Sequence, residues 1–152
     1  MENGISGNAG DFTMVLSTEK SPSEVFEAIT NVRGWWSAKI IGNSKTQGDE
    51  FKFQYENLHY STQKLVEVIL NQKVVWQVTD SRLTFLKENQ SEWTNTRIYF
   101  EIAKAERETE IRFTHFGLLP EVECFEACAK GWSHYLGKRL LQLIDTGKGK
   151  PD

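Results

Sequence analysis

The side chains best suited to nucleophilic, acid–base or metal chemistry in this sequence are three histidines and two cysteines. Cys124 and Cys128 stand four positions apart, and on a helix that spacing leaves Cβ atoms about 5–6 Å from each other. A disulfide wants roughly 3.5–4.5 Å, so both are expected to stay free thiols near the core. A structural zinc site takes four ligands; the two cysteines with His115 fall short of that, and no metal is expected. His59, His115 and His134 belong to different segments. No G-x-S-x-G elbow is present, and neither cysteine has a base beside it. Glu121 and Glu123 are expected in the first turns of a helix, where acid suits the positive end of the dipole. Gly147-Lys148-Gly149-Lys150 lacks the spacing and the Ser/Thr of a phosphate loop. No catalytic residue and no cofactor follows from these patterns.

A stronger signal is aromatic. Aromatic residues make up 12% of the chain, hydrophobic residues 39% and charged residues 26%, and 18 basic against 21 acidic side chains leave a net charge of −3. That composition belongs to a folded globular protein and excludes disorder over most of the chain. No Lys/Arg cluster offers a footprint for nucleic acid or for an anionic membrane. A chain of 152 residues suits one domain. Met1 to Gly10 has neither the basic nor the apolar region of a signal peptide, and no apolar run could span a bilayer. A cytoplasmic location is the expectation.

The elements that must position these side chains read as follows. Asp11 to Thr18 alternates Phe12, Met14 and Leu16 with polar or small residues, as a half-buried strand does. Ser21-Pro22-Ser23-Glu24 is a capping box with proline at the first helical position, and Val25, Phe26 and Ile29 give the helix one apolar face. Asn31 to Ser37 is expected as a second short helix or turn. Its Trp35-Trp36 pair predicts one ring inside and the other capping a pocket mouth or meeting a partner. From Gly48 to Gly117 the period is two: Phe51, Phe53 and Tyr55; Tyr60 to Leu70; Val74, Trp76 and Val78 within Lys73 to Asp80; Ile98, Phe100 and Ile102 within Thr94 to Lys104; Ile111, Phe113 and His115 within Glu110 to Phe116. Ser81 to Glu92 reads as irregular and polar. Short connections imply antiparallel pairing. Glu121 to Asp145 carries Val122, Phe125, Ala129, Trp132, Leu136, Leu140 and Leu143 at spacings of three and four, the stripe of one long helix. The expected architecture is α+β: about six antiparallel strands, two short helices after the first, and a long C-terminal helix. Residues 1–10 are expected to be flexible, 11–147 to form the domain, and 148–152 to fray as a tail.

This order, together with Thr114-His115-Phe116-Gly117-Leu118 running into Cys124-Phe125-Glu126-Ala127-Cys128 and Gly131-Trp132, resembles the START-like (SRPBCC) superfamily. Within it the chain looks like the branch named after activators of the heat-shock-protein-90 ATPase. Val32-Arg33-Gly34-Trp35-Trp36-Ser37, Val75-Trp76-Gln77-Val78 and Thr146-Gly147-Lys148-Gly149 add to the likeness, which runs from about Asp11 to Pro151. The resemblance implies a helix-grip fold, a curved antiparallel sheet wrapped around the C-terminal helix. It also implies a co-chaperone or interaction module as one role, and a cyclase or hydrolase reaction in the same interior as another.

A helix about 10 Å across does not fill a strongly curved sheet. Either large side chains plug the gap or a cavity remains for a ligand. The expected site residues are Phe53, Tyr55, Trp76, Phe100, Trp132 and Leu136 for burial and shape, with His115 and Tyr55 for orientation. The expected partner is a small lipophilic molecule, with chaperone binding or self-association as alternatives. The ordinary reading of His115 is a buried histidine satisfied by a carbonyl or a tyrosine hydroxyl; that of Arg139 is a side chain reaching outward. Gly131 and Gly137 inside the helix cost about 1 kcal/mol each against alanine. That is either tolerated on a solvent face or exchanged for close approach by a strand, a ligand or a second subunit.

Overall fold

The structure is a computed structural model and describes residues 10–149. The expectations for 1–9 and 150–152 lie outside the described residues. Strand β1, Phe12–Thr18, is followed by helix α1, Pro22–Thr30, whose capping box forms as its sequence requires: Ser21 Oγ accepts from Glu24 N–H and the Glu24 carboxylate accepts from Ser21 N–H. A single 3-10 turn, Val32–Gly34, carries the chain to β2, Ile41–Gly42. Then come β3, Glu50–Tyr55; β4, His59–Ile69; β5, Lys73–Leu83; β6, Arg97–Lys104; and β7, Thr109–Phe116.

All seven strands form one antiparallel sheet in the order β1-β7-β6-β5-β4-β3-β2. The count exceeds six through the two-residue edge strand β2, too short to leave a period in the sequence. The β4–β5 hairpin turns over Leu70-Asn71-Gln72, with Asn71 in the left-handed region at φ 61°, which asparagine tolerates better than most residues. Strand β5 continues to Leu83, past the expected end at Asp80. An irregularity in its pairing between Thr62 and Gln63 breaks the alternation there, so Ser81 and Leu83 are buried in what looked like loop.

The sheet folds around the C-terminal helix, as the helix-grip expectation has it. Helix α2 spans Phe125–His134 and passes through a π-helical segment, Tyr135–Leu140, into α3, Leu141–Thr146. Gly147 ends it at φ 75°, with its N–H bonded to Leu143 O at 2.9 Å, the left-handed glycine cap. The helix starts later than the sequence suggested. Residues 121–124 form turns, and Glu123 spends its carboxylate on a neighbouring loop instead of on a helix end. Nor does the described tail hang free: Gly149 packs so close to Gly34 that a Cβ would stand 2.0 Å from Gly34 O. Among the described residues no helix is long and apolar enough to cross a membrane.

Trp132, Leu136, Leu140 and Ile144 turn the helix stripe onto Trp76, Phe100, Ile111 and Phe113 of the sheet, all of them buried.

Candidate functional site

Packing stops being complete at one end of the grip, where the β3–β4 hairpin overhangs the start of α2. The inward rows of β3 and β4 pair Phe53 with Ser61 and Tyr55 with His59. These rows run past the edge of the helix, leaving a cleft of about 210 Å³. Trp36 and Phe53 form one wall, stacked at 4.1 Å and 12°. Trp93 and Trp132, nearly parallel at 5.7 Å and 9°, form another. Cys128, Gly131 and Tyr135 supply the helix side, and Tyr55, Phe85 and Ala127 the mouth.

Trp36 reaches this position because Trp35 leaves the 3-10 turn with a non-helical backbone, φ −137° and ψ −28°. Side chains on such a bend need not alternate, and both indoles enter the core, at 0% and 1% exposure. The expectation of one ring inside and the other capping a pocket mouth or meeting a partner is corrected: Trp36 is buried too, as a wall of the cleft. Trp35 sits deeper, against Phe100 at 6.0 Å with its Nε1–H bonded to Ile29 O. Trp36 bridges Phe53, Trp76 and Trp132.

Polar groups lie behind the aromatic walls. His115 is fully buried. Its Nδ1 accepts from Trp132 Nε1–H at 3.0 Å. The proton of the neutral ring therefore sits on Nε2, which donates to the Thr96 hydroxyl at 2.9 Å, and that hydroxyl donates to Trp93 O at 2.6 Å. Every donor in the relay has an acceptor, and the relay ties together both tryptophans of the second wall. The partners are a threonine and an indole in place of the expected carbonyl or tyrosine. His59 lines the cleft, edge-on to Phe53 and Trp93 at 5.0 and 4.5 Å, and its Nε2 meets Ser61 Oγ at 3.1 Å. Burial pushes His59 down to about 4. Burial, with a smaller contribution from the His59 charge, pushes His115 down to about 3. Both rings are neutral near pH 7, and among the described residues no Asp, Glu, Lys or Arg lines the cleft.

The loop that brings in Phe85 and Trp93 is tied to the chain before α2 by two carboxylates. Glu123 accepts from the N–H groups of Lys87 and Glu88, both at 2.8 Å. Glu92 reaches back to the N–H groups of Glu123 and Cys124, at 2.8 and 3.0 Å. Those backbone bonds hold the Glu123 carboxyl below its usual range. Cys124 and Cys128 are free and buried. A hydrogen bond that Cys124 makes to Cys128 in its protonated form, together with burial, pushes Cys124 up, so it stays a thiol. Among the described residues no three metal-ligating side chains cluster.

Of the residues expected to line a cavity, Phe53, Tyr55 and Trp132 stand together around the cleft. Trp76, Phe100 and Leu136 lie deeper, at 0% exposure in the packed core, and His115 sits behind Trp93 and Trp132. Arg139 is partly buried, with its Nε donating to His134 Nε2 at 3.3 Å. The sequence reading missed His59, Phe85 and Trp93 as site residues. For Phe85 and Trp93 the available signal was two large aromatics in a stretch rich in polar residues, because such rings seldom stay in water without a packing partner.

A comparison with curated proteins gives no match. Among solved structures, the chain is similar to the Aha1 dimer from Colwellia psychrerythraea, with TM-score 0.73 and 24% identity over 91% of this chain and 98% of that one. It is also similar to protein MLL2253 from Mesorhizobium loti, with TM-score 0.68 and 16% identity over 88% and 96%. A third is PFC0360w, an HSP90 activator from Plasmodium falciparum, with TM-score 0.60 and 17% identity over 90% and 96%. These likenesses establish the helix-grip fold. Residues 19–145 match the family described as Activator of Hsp90 ATPase homolog 1-like protein, and the chain belongs to that family.

Proposed function

We propose that the chain binds a small hydrophobic molecule in the cleft between the β3–β4 hairpin and helix α2. The observation behind this reading is an open, uncharged space of about 210 Å³ walled by Trp36, Phe53, Trp93 and Trp132. Interiors are ordinarily packed to crystal-like density, and an aromatic-walled void with a mouth suits an apolar guest. Phe53, Tyr55 and Trp132 contact the guest. Trp76, Phe100 and Leu136 back the walls, and His115 positions the two indoles. Thermal unfolding with a panel of neutral lipophiles tests the reading. At least one member is expected to raise the midpoint and perturb tryptophan emission; a panel with no effect on either sinks it.

A second reading, a chaperone-activator-like module, is favoured by the family match and by an apolar collar. Tyr55, Leu58 and Phe85 are 43%, 42% and 43% exposed, and Tyr55 and Phe85 ring the cleft mouth. On this reading the chain stimulates the ATPase of purified Hsp90, and Phe85→Ser weakens that stimulation. An unchanged ATPase rate at saturating protein removes it.

A further inference from the structure

We propose that the guest of the cleft is a neutral, flat aromatic molecule of one or two fused rings, an inference that rests on the ligand-binding reading above. Size, shape and charge of the walls each point to it.

Small-molecule sites usually span about 300–1,000 Å³, while an apolar cavity of about 150 Å³ holds one benzene. At about 210 Å³ the cleft accommodates a bicyclic ring. An extended acyl or isoprenoid chain would leave most of its length in water. The walls are also aromatic: Trp36 stacks on Phe53 at 4.1 Å and Trp93 on Trp132 at 5.7 Å, so a guest meets ring faces and edges. A planar guest can meet such rings by offset stacking or edge-to-face contact, interactions that an aliphatic chain cannot collect beyond its buried area.

Charge is the third property. Among the described residues no Asp, Glu, Lys or Arg lines the cleft, and His59 stays neutral behind its burial. A carboxylate guest would find no counter-charge to offset the loss of its water. Space for the ring is kept open by the helix itself. Gly131 lines the cleft, and a Cβ built there meets no atom within 4 Å. The glycine is therefore not required by a neighbouring element, and the room beside it belongs to the cleft.

The test uses two probes matched in carbon number and a third that carries a charge. 2-Naphthol and 1-decanol each carry ten carbons and one hydroxyl and differ in flatness; 2-naphthoate adds the charge. Binding to the full chain is measured by calorimetry and thermal unfolding. 2-Naphthol is expected to bind at least tenfold more tightly than either rival, and to raise Tm by about 5–10 °C at a hundredfold excess over its Kd. Gly131→Leu, which projects a side chain into the space, is expected to abolish 2-naphthol binding without lowering the ligand-free Tm. Should that variant fail to fold, intermolecular NOEs from naphthol to the Trp36 and Trp132 indole protons locate the site in the native chain. Equal or tighter binding of 1-decanol or 2-naphthoate overturns the aromatic, neutral class and leaves the ligand reading standing. 2-Naphthol binding that survives Gly131→Leu, or NOEs to other residues, overturns the placement. If none of the three probes binds, the aromatic class falls, while the ligand reading stands or falls with the wider lipophile panel.

Discussion

His115 carries no exposed atom surface and no charge, yet it holds the second cleft wall in place. It accepts from Trp132, and through Thr96 it reaches the backbone of Trp93. A ring that accepts at Nδ1 and donates at Nε2 serves this relay only while it is neutral, and burial enforces that state for His115 and for His59. The consequence is a pH dependence of known sign. In the unfolded chain a histidine takes up its proton near pH 6.5, whereas in the fold uptake waits until about 4 for His59 and about 3 for His115. Stability is complete above pH 6.5 and falls as pH drops below it, because the unfolded chain then binds more protons. The slope is about 1.4 kcal/mol per pH unit for each histidine, roughly 2.7 for the two. Glu24 and Glu123, whose carboxyls are lowered by hydrogen bonds from Ser21 and from Lys87 and Glu88, add their own loss only below about pH 4.5. The two histidines therefore dominate the window from 6.5 to 4.5, with Glu101, whose carboxyl burial raises, opposing them toward its acid end. Urea unfolding across it is expected to show this slope, and His59→Phe to roughly halve it. A flat profile in that window would show that the rings titrate alike in both states.

At the scale of elements, two glycines show where a residue is constrained and where it is free. Gly131 lies on α2 with open space around its missing side chain, so Gly131→Ala is expected to recover the helix-propensity cost of about 1 kcal/mol. The midpoint should rise by about 2–4 °C. Gly42→Ala makes the contrast: at φ 110° its Cβ would overlap the backbone oxygen of Glu50, so the midpoint should fall. Comparison of the two melting curves with the parent checks both signs. The elements themselves were largely legible in advance. Alternation of Ile98, Phe100 and Ile102 and of Ile111, Phe113 and His115 announced β6 and β7. The Trp132–Leu136–Leu140 stripe announced the helix, and Gly147 its end. Three features were not legible: the edge strand Ile41–Gly42, the late start of α2 at Phe125, and the extension of β5 to Leu83. In the last, an irregular pairing near Thr62 shifts the inward face by one residue. In the second, Glu123 finds backbone donors on another loop, a partnership of residues 35–36 positions apart that no local pattern records.

Across the whole molecule, the site is the difference between two shapes: a sheet bent through seven strands and a helix that fills most of its concavity, though not the end under the β3–β4 hairpin. Ligand and chaperone readings meet at the same mouth, since Tyr55 and Phe85 border the cleft and also form much of its apolar collar. Phe53, Tyr55 and Trp132 could be singled out beforehand because strand and helix periods assign them to inward faces. The depth of Trp76, Phe100 and Leu136 could not be read the same way. Period gives a side, and says nothing of how far along the grip a residue lies. By itself the sequence determined the α+β order, the inward faces and the helix cap, all of which follow from residue type and short-range spacing. Only the tertiary structure decided that both Trp35 and Trp36 turn inward, that Phe85 and Trp93 come in on a loop to complete the walls, and that His115 lies behind the cleft. An unfilled volume arises from the path of loops and the mutual position of distant rings, and no stretch of sequence carries that information locally.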